Sequence, residues 1–569
     1  MDALRFIQVI LPLKLDWEPY YRLPEGLDVQ VGSRVRVLFA NAFYVGCVSA
    51  VDVHPELDTR RILPVEALED GLPDVTPEEI RFWREIAGYY LCSVGEVYKS
   101  AYPSVSNHRS RLAIPPSEPQ KGEFFLSSAQ KEADAAIRAA FQARKTVLLS
   151  GADTQELTDM EIYLALETIR QGKSVLLLVP EMGLVEKQAA VFYPSAMAYH
   201  SGLTAGKRKL VAEKLRTGEP CLVVGTRMSL FLPFHQLGLV MVHAEHDSFL
   251  KQDAPAPRYH ARESAIMLAG VHGANVMLTS PTPSLESIYN AQCGRFTAVH
   301  LNESSGQKKD TQIEIIDTAA EWRKRGMAGS FSLKLLARIK ETLEAGGSVL
   351  LLGPRRSYTQ GRKMEDEALE YFPEARIGIM DTTPLDGDYD IYIGTLTTTR
   401  PLLCNKLKLV ALVIGDSLLA RQDFRADERA IQVLDMFRSR CDRFVIQTRE
   451  PAHPVFTHLG DAPVEAMLQE RRIAGYPPFT RMVKVAIHDK SEARLKLMTR
   501  NLAERLGSIG LKMEGPYTPS MEPMAREMRI LLPRDKSLVQ KKAAMAEAIT
   551  AFEQDYKYSS HIVIDVDPV

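Results

Sequence analysis

The chain has 569 residues, of which 45% are hydrophobic and 25% charged, a composition typical of folded protein that excludes a mostly disordered chain. Lysine and arginine (70) are balanced by aspartate and glutamate (72), so the formal net charge is −2. This balance excludes a globally basic nucleic-acid binder, although it does not exclude a local basic groove. The length predicts roughly three to five domains.

The six cysteines lie far apart in the sequence, and none of them forms a C-x-x-C pair. This pattern supports neither a disulfide framework nor a cysteine-rich zinc site, and it is typical of the reducing cytoplasm. Arg5, Pro12 and Lys14 interrupt the first apolar stretch, which we therefore expect not to act as a signal peptide. No window approaches 18 uninterrupted apolar residues, so we predict no membrane span.

Residues 1–103 are predicted to form a small β-rich domain. Val35–Phe39 and Tyr44–Val51 alternate β-branched and aromatic residues with residues of other types, and a helical stretch follows over Pro77–Tyr90. Residues 104–122 are rich in serine and proline, which predicts a linker.

Residues 123–300 and 301–450 each alternate short aliphatic runs with helical windows. Such runs are typical of parallel strands buried on both faces, so the pattern predicts two consecutive α/β lobes. The strands predicted for the first lobe are Thr146–Leu149, Ser174–Val179, Cys221–Val224, Leu239–Val242 and Val276–Thr279. Those predicted for the second are Ser348–Leu352, Ile377–Met380, Ile391–Gly394, Leu409–Ile414 and Phe444–Gln447. Residues 451–569 mix helices and strands and predict an α+β domain.

Two α/β lobes raise the question of a phosphate-binding loop, which needs G-x-x-x-x-G-K-[ST] after a strand. Gly151 and Thr158 satisfy the outer positions, but Glu156 and Leu157 stand where the second glycine and the lysine would be. A carboxylate repels a triphosphate and leucine carries no charge, so this segment predicts an ordinary connection between strand and helix.

The strand Leu239–Val242 runs into His243, Ala244 and Glu245. A nucleotide hydrolase places a metal-binding aspartate and a water-activating glutamate at such a strand end. A metal site built from His243, His246 and Asp247 is an alternative to a polar surface turn.

Several segments in this order closely resemble the primosomal protein N′ (PriA) family of superfamily 2 DNA helicases. They are Leu23–Gly26, Leu178–Leu184, His200–Leu203, Val224–Arg227, His246–Ser248, Arg258–Arg262, Asp423–Arg429, Tyr476–Arg481 and Ile564–Pro568. The resemblance implies an α/β fold: two tandem RecA-like helicase lobes between an N-terminal 3′-end DNA-binding domain and a C-terminal α+β domain.

The chain departs from the family where hydrolysis would occur. By comparison with the family, Leu157 replaces the loop lysine, His243 the metal-binding aspartate and Ala244 the catalytic glutamate, and the arginine-finger motif is absent. The zinc-binding cysteines, expected between residues 356 and 370, and the winged helix after residue 103 are also missing. We therefore expect no catalytic residues and no ATP, magnesium or zinc cofactor.

The DNA-contacting residues that the resemblance implies are retained in part. In the N-terminal domain Tyr21 offers a base-stacking face, and Arg34 and Arg36 are candidates to meet phosphates. In the first lobe the candidates are Arg227, Lys251, Arg258, Tyr259, His260 and Arg262.

The resulting hypothesis is a cytoplasmic protein of replication restart that binds forked or single-stranded DNA without unwinding it. The resemblance implies a monomer whose partners are primosome and helicase-loading proteins and the single-stranded DNA-binding protein. Two alternatives remain open: an active 3′–5′ helicase in which Thr158, Glu245 and Arg440 substitute for the lost groups, and a protein scaffold that binds no DNA.

Overall fold

The computed structural model describes residues 5–102, 126–151, 154–192, 196–301, 311–353, 358–380, 388–396, 398–399, 407–419, 423–519, 522–556 and 561–569. The predicted linker 104–122 lies outside the described residues, and so does the predicted loss of a winged helix after residue 103. The chain divides into two compact units, unit 1 (Met1–Asn302 with Ala474–Val569) and unit 2 (Glu303–Ile473).

The N-terminal part of unit 1 is an antiparallel sheet of order β2-β1-β4-β3-β5, followed by two helices. These elements are β1 (Phe6–Ile10), β2 (Tyr20–Arg22), β3 (Arg34–Phe39), β4 (Ala42–Ala50), β5 (Ala67–Leu68), α1 (Pro77–Tyr90) and α2 (Val94–Ala101). The core side chains alternate along the strands, as Val35 and Val37 do on β3. A capping box of Thr76 and Glu79 begins α1. The helix ends at Leu91, whose backbone is left-handed.

A seven-stranded parallel sheet of order β12-β6-β11-β10-β7-β9-β8 forms the next part of unit 1. Its strands are β6 (Thr146–Gly151), β7 (Ser174–Leu178), β8 (Ala196–Tyr199), β9 (Leu222–Gly225), β10 (Leu237–His243), β11 (Asn275–Ser280) and β12 (Phe296–Leu301). Its helices are α3 (Ser128–Gln142), α4 (Thr154–Arg170), α5 (Met182–Val191), α6 (Ala205–Arg216), α7 (Ala261–His272) and α8 (Leu285–Gln292). Each of β7, β9 and β10 is buried along nearly its whole length, which explains their continuous aliphatic sequences.

Unit 2 contains a six-stranded parallel sheet of order β13-β20-β19-β16-β18-β17. Its strands are β13 (Gln312–Asp317), β16 (Val349–Gly353), β17 (Ile377–Ile379), β18 (Ile391–Thr395), β19 (Leu407–Leu412) and β20 (Cys441–Thr448), with a small hairpin of β14 (Met327–Ala328) and β15 (Phe331–Ser332). Its helices are α9 (Thr318–Arg323), α10 (Leu333–Glu344), α11 (Tyr358–Tyr371), α12 (Asp416–Leu419), α13 (Ala426–Arg438), α14 (Pro454–Thr457) and α15 (Val464–Ala474).

The C-terminal part of unit 1 is an antiparallel sheet of order β22-β23-β21-β24 with two helices. The elements are β21 (Thr480–His488), α16 (Glu492–Ser508), β22 (Lys512–Tyr517), β23 (Ala525–Pro533), α17 (Leu538–Asp555) and β24 (His561–Val566). Both helices contribute to the core with side chains such as Leu502 and Phe552.

The predicted fold class is confirmed: a β-rich N-terminal part, two parallel α/β lobes and an α+β C-terminal part. Each of the ten strands predicted for the lobes overlaps an observed strand. The sequence patterns missed β8, β12 and β13, all of which lie at sheet edges and are less continuously apolar. None of the described helices is long and apolar enough to cross a lipid bilayer.

Candidate functional site

The carboxyl edge of the seven-stranded sheet is where α/β proteins of this kind bind ligands. Strand β6 ends there at Gly151, and α4 begins at Thr154. Leu157, at the position of a phosphate-binding lysine, is 2% exposed and belongs to the core cluster that includes Val147 and Leu149. Leucine carries no charge, and this one is enclosed in the core, so Leu157 cannot neutralise a phosphate.

The end of β10 is held by a buried acid that the sequence analysis did not identify. Glu161 on α4 is fully buried, and both of its carboxylate oxygens lie 3.1 Å from His243 Nδ1. The Thr279 hydroxyl on β11 donates a hydrogen bond to the same carboxylate. His243 at the metal-binding position therefore faces Glu161, and together they link α4, β10 and β11. The sequence offered one signal for this buried acid: Glu161 lies between Met160 and Ile162, which are apolar residues of the core.

Glu245 follows β10 and is also fully buried. Its carboxylate accepts hydrogen bonds from the Arg262 guanidinium (2.8 Å), the Ser284 backbone N–H (2.7 Å), the Ser284 hydroxyl (2.9 Å) and the Ser287 hydroxyl (2.8 Å). Three of these donors meet Oε2 and one meets Oε1. Glu245 thus links α7 and α8 through these hydrogen bonds, and its side chain is closed to solvent.

The alternative metal set separates in the structure. His246 Nδ1 lies 2.7 Å from the Ser280 hydroxyl, the Asp247 carboxylate accepts from the Phe249 backbone N–H, and His243 contacts Glu161. Throughout the part of the chain that the structure describes, no three metal-ligating side chains come together.

Lys251, predicted to contact DNA, is buried at 3% exposure. Its ammonium donates to the Arg258 carbonyl oxygen (2.7 Å) and the Val566 carbonyl oxygen (2.7 Å), and it lies 2.8 Å from the Asp565 carboxylate. The segment after β10 is thereby fixed to β24, which lies more than 300 residues further along the chain.

The neighbouring residues of this segment are equally enclosed. Tyr259 is 2% exposed and packs edge-on against Phe231, with 5.2 Å between ring centroids. His260 Nδ1 accepts the Arg262 backbone N–H at the start of α7, and burial lowers the pKa of His260 to about 4. Tyr90 on α1 donates its hydroxyl to the His260 carbonyl and accepts the His260 backbone N–H.

Two predicted residues of the N-terminal sheet are also interior. Tyr21 is 2% exposed, its hydroxyl donates to the Leu38 carbonyl (3.2 Å), and burial raises its pKa to about 12. Arg34 is 5% exposed, and its guanidinium lies 4.4 Å from the ring centroid of Tyr102.

Six of the nine predicted DNA-binding residues are buried against protein partners in this structure, and their contact with DNA stays a prediction. The six are Tyr21, Arg34, Lys251, Tyr259, His260 and Arg262.

Three predicted residues keep solvent contact. Arg36 is exposed and pairs with Glu69 at 2.7 Å. Arg258 is half-buried, and so is Arg227, which donates to the Phe249 carbonyl at 2.9 Å. They remain the predicted residues able to meet a DNA phosphate.

Exposed aromatic rings on the N-terminal sheet were missed by the sequence analysis. Trp17 is 54% exposed, and its ring lies 6.3 Å from that of Phe39, which is half-buried. Phe39 precedes Ala40 and Asn41, whose φ angles of 48° and 64° form a tight left-handed turn. The signal available in the sequence was a tryptophan four residues before the predicted Tyr21.

Comparison with known proteins gives matches at both ends of the chain. Residues 8–103 match the family model described as the 3′ DNA-binding domain of PriA, and residues 472–569 match that of the primosomal protein N C-terminal domain. The replication restart protein PriA of Rickettsia conorii is 23% identical, and the match covers 99% of both chains. The chain is thus similar to PriA proteins at both ends and along nearly its whole length.

Other PriA proteins give comparable matches. That of Treponema pallidum is 25% identical over 99% of both chains, and that of Haemophilus influenzae is 28% identical over 74% of this chain and 69% of its own. Among solved structures, RecG bound to a three-way DNA junction has a TM-score of 0.43 and 14% identity, covering 63% of this chain and 49% of that one. Lhr helicase from Mycobacterium smegmatis has a TM-score of 0.38 and 13% identity, covering 60% and 48%.

Proposed function

We propose that this protein binds forked or branched DNA at a nascent 3′ end and serves replication restart without unwinding DNA itself. The observation that carries the proposal is the match of residues 8–103 to the 3′ DNA-binding domain model. The related PriA proteins, named for replication restart and matched along nearly their whole length, support the same role. Primosome proteins in the cytoplasm are the partners that this role requires.

The absence of unwinding is inferred from the chemistry of the carboxyl edge. Phosphoryl transfer depends on cations and a polarised nucleophile around the transferred group. Here Leu157 is buried in the core, His243 faces Glu161, and Glu245 accepts four hydrogen bonds. An arginine finger alone contributes about 10³–10⁵ in rate, so the combined losses predict no measurable ATP hydrolysis.

The role of 3′-end recognition passes from Tyr21 to the exposed ring of Trp17. Because Tyr21 is buried, it cannot stack on a base, whereas Trp17 presents more than half of its surface to solvent. Stacking of a base on such a ring contributes about 1–3 kcal/mol. Of the two arginines predicted to meet phosphates on this sheet, Arg36 on β3 is the exposed one, and a phosphate would compete there with Glu69.

The test compares the affinity of the full chain for a fork carrying a nascent 3′ end with its affinity for plain duplex of equal length. We expect at least tenfold tighter binding to the fork, and Trp17→Ala to remove most of that difference. Val539→Ala, at a 79% exposed position on α17, is the matched control and should change neither affinity. Equal and weak affinities for both DNAs would refute the proposal and favour a scaffold that binds no DNA.

An ATPase assay with and without forked DNA tests the second half of the proposal. We expect no hydrolysis above that of a buffer blank. Hydrolysis stimulated by DNA would instead establish an unconventional active site and restore the helicase alternative.

A further inference from the structure

The end of α9 in unit 2 carries a solvent-exposed aromatic and basic patch. It consists of Trp322, Arg323, Lys324 and Arg325, which we call the α9 patch. The Trp322 side chain is 72% exposed, whereas Trp83, on α1, is fully buried. Tryptophan is highly buried on average in folded proteins, so a tryptophan exposed to this extent is uncommon.

The cations of the α9 patch have no acidic partner among the residues that the structure describes. None of its three cations forms a side-chain hydrogen bond or ion pair with the residues that the structure describes. Glu321, the acid of this helix, pairs with Lys334 at 2.9 Å, and Asp317, which precedes the helix, accepts the Ala320 backbone N–H at 2.9 Å. The α9 patch therefore offers three cations beside an open aromatic face.

The backbone at Arg325 adds an independent observation. Its φ is +56°, the left-handed conformation that usually follows a helix as glycine or asparagine. Glycine stands one position later instead, at Gly326, where a Cβ would come within 2.6 Å of a Glu321 carboxylate oxygen. This conformation costs a residue other than glycine more than it costs glycine, so replacing Arg325 by glycine can separate backbone strain from the role of the side chain.

We propose that the α9 patch binds single-stranded DNA, with a base stacked on Trp322 and phosphates held by the three cations. This inference rests on the proposed DNA-binding function and adds a second contact, located in unit 2. Cations beside an aromatic face are the features by which proteins hold single strands without sequence preference. A duplex hides the faces of its bases, and an acidic peptide needs the cations but not a flat ring, so both fit less well.

Fluorescence distinguishes stacking on Trp322 from binding elsewhere. The chain has three tryptophans, and Trp17→Phe leaves buried Trp83 and exposed Trp322. In this variant we expect oligo(dT) to quench the emission, and the further change Trp322→Phe to abolish the quenching. Emission unchanged at oligo(dT) concentrations that saturate binding would overturn the proposal. So would quenching by poly-glutamate but not by oligo(dT), which would indicate a protein partner.

Affinity measurements test the energetic role. Trp322→Ala should weaken oligo(dT) binding about 5- to 150-fold, because stacking contributes about 1–3 kcal/mol per base. Replacing Arg323 and Lys324 by alanine should lower the salt dependence of log K by about 1.4, at about 0.7 per phosphate contact of a single strand. Lys340→Ala, at an exposed position on α10, is the matched control and should leave both quantities unchanged.

Arg325→Gly separates binding from stability. Glycine relieves the left-handed strain, so the variant should melt no lower than the parent while binding oligo(dT) more weakly. If the parent protein binds forks but all α9-patch variants keep its affinity and salt dependence for oligo(dT), this inference fails and the proposed function stands. If the parent binds neither DNA, the proposed function fails and this inference fails with it.

Discussion

Replacing Lys251 by methionine tests whether the segment after β10 is structural or binds DNA. Methionine keeps the aliphatic stem but removes an ammonium that contacts the Asp565 carboxylate at 2.8 Å and donates to two carbonyl oxygens at 2.7 Å. Both charged side chains are nearly inaccessible, at 1% and 9%. Breaking a buried ion pair from one side costs about 3–5 kcal/mol, because the remaining charge is left unpaired.

The assay is denaturant unfolding of four proteins: the parent, Lys251→Met, Asp565→Asn and the double variant. Each single change should lower the free energy of unfolding by about 3–5 kcal/mol. The double variant should lose little more than either single one, because no unpaired charge remains, which gives a coupling energy of about 3 kcal/mol.

Fork binding is measured in parallel, at a temperature where the variants are folded. The structural role predicts that Lys251→Met leaves the affinity and its salt dependence unchanged. Unaltered stability together with a salt slope lower by about 0.9, the value of one lost phosphate contact on duplex DNA, would refute the reasoning and restore Lys251 to the DNA surface.

Three further predictions concern unit 1. Leu157→Lys should lower the free energy of unfolding by about 3–5 kcal/mol and restore no ATP hydrolysis, because it buries an unpaired charge. Leu157→Met should lower the free energy of unfolding, measured in denaturant, by less than about 1.5 kcal/mol. The pKa of His260, about 4 in the folded state, lies below its unfolded value of 6.5, so its contribution is complete above pH 6.5 and is lost as the pH falls towards 4. His260→Asn keeps a hydrogen-bond acceptor at the start of α7 but does not titrate. Between pH 7.5 and 4.5 the free energy of unfolding of this variant should fall by up to about 3 kcal/mol less than that of the parent. Parallel curves for the two proteins would contradict this cause. Gly225→Ala should destabilise the protein by about 1–3 kcal/mol, because its Cβ would lie 1.8 Å from the Ser229 hydroxyl oxygen. Gly270→Ala should stabilise the protein by about 0.5–1 kcal/mol, because a Cβ at this position inside α7 meets open space. Similar melting temperatures for the two variants would contradict the packing argument.

The strands of the two lobes could be predicted because burial on both faces leaves a continuous aliphatic run, as in Ser174–Leu178. Strand β13 could not, because an edge strand needs fewer apolar residues, and its sequence includes Gln312 and Glu314. The alternation of β3 likewise indicated a half-buried sheet before any tertiary contact was known.

Which of the candidate DNA-binding residues are exposed could not be predicted from the sequence, for a reason visible at Lys251 and Tyr259. A lysine or tyrosine in a polar segment has the same sequence context whether it faces water or another part of the chain. Burial of this segment depends on its contacts with β24 and α1, which are distant in the sequence. These elements supply Val566, Asp565 and the Tyr90 hydroxyl. Trp17 and Trp322 illustrate the converse, since their aromatic character favoured burial and the fold leaves them exposed.

The amino-acid sequence alone predicted the order of the domains and the loss of the groups that phosphoryl transfer needs, because both predictions depend on residue type and local spacing. The tertiary structure decided which of the remaining cations and rings reach solvent. It did so because burial is a property of contacts between distant segments, which replace water around some side chains and leave others, at the ends of sheets and short helices, open to a partner.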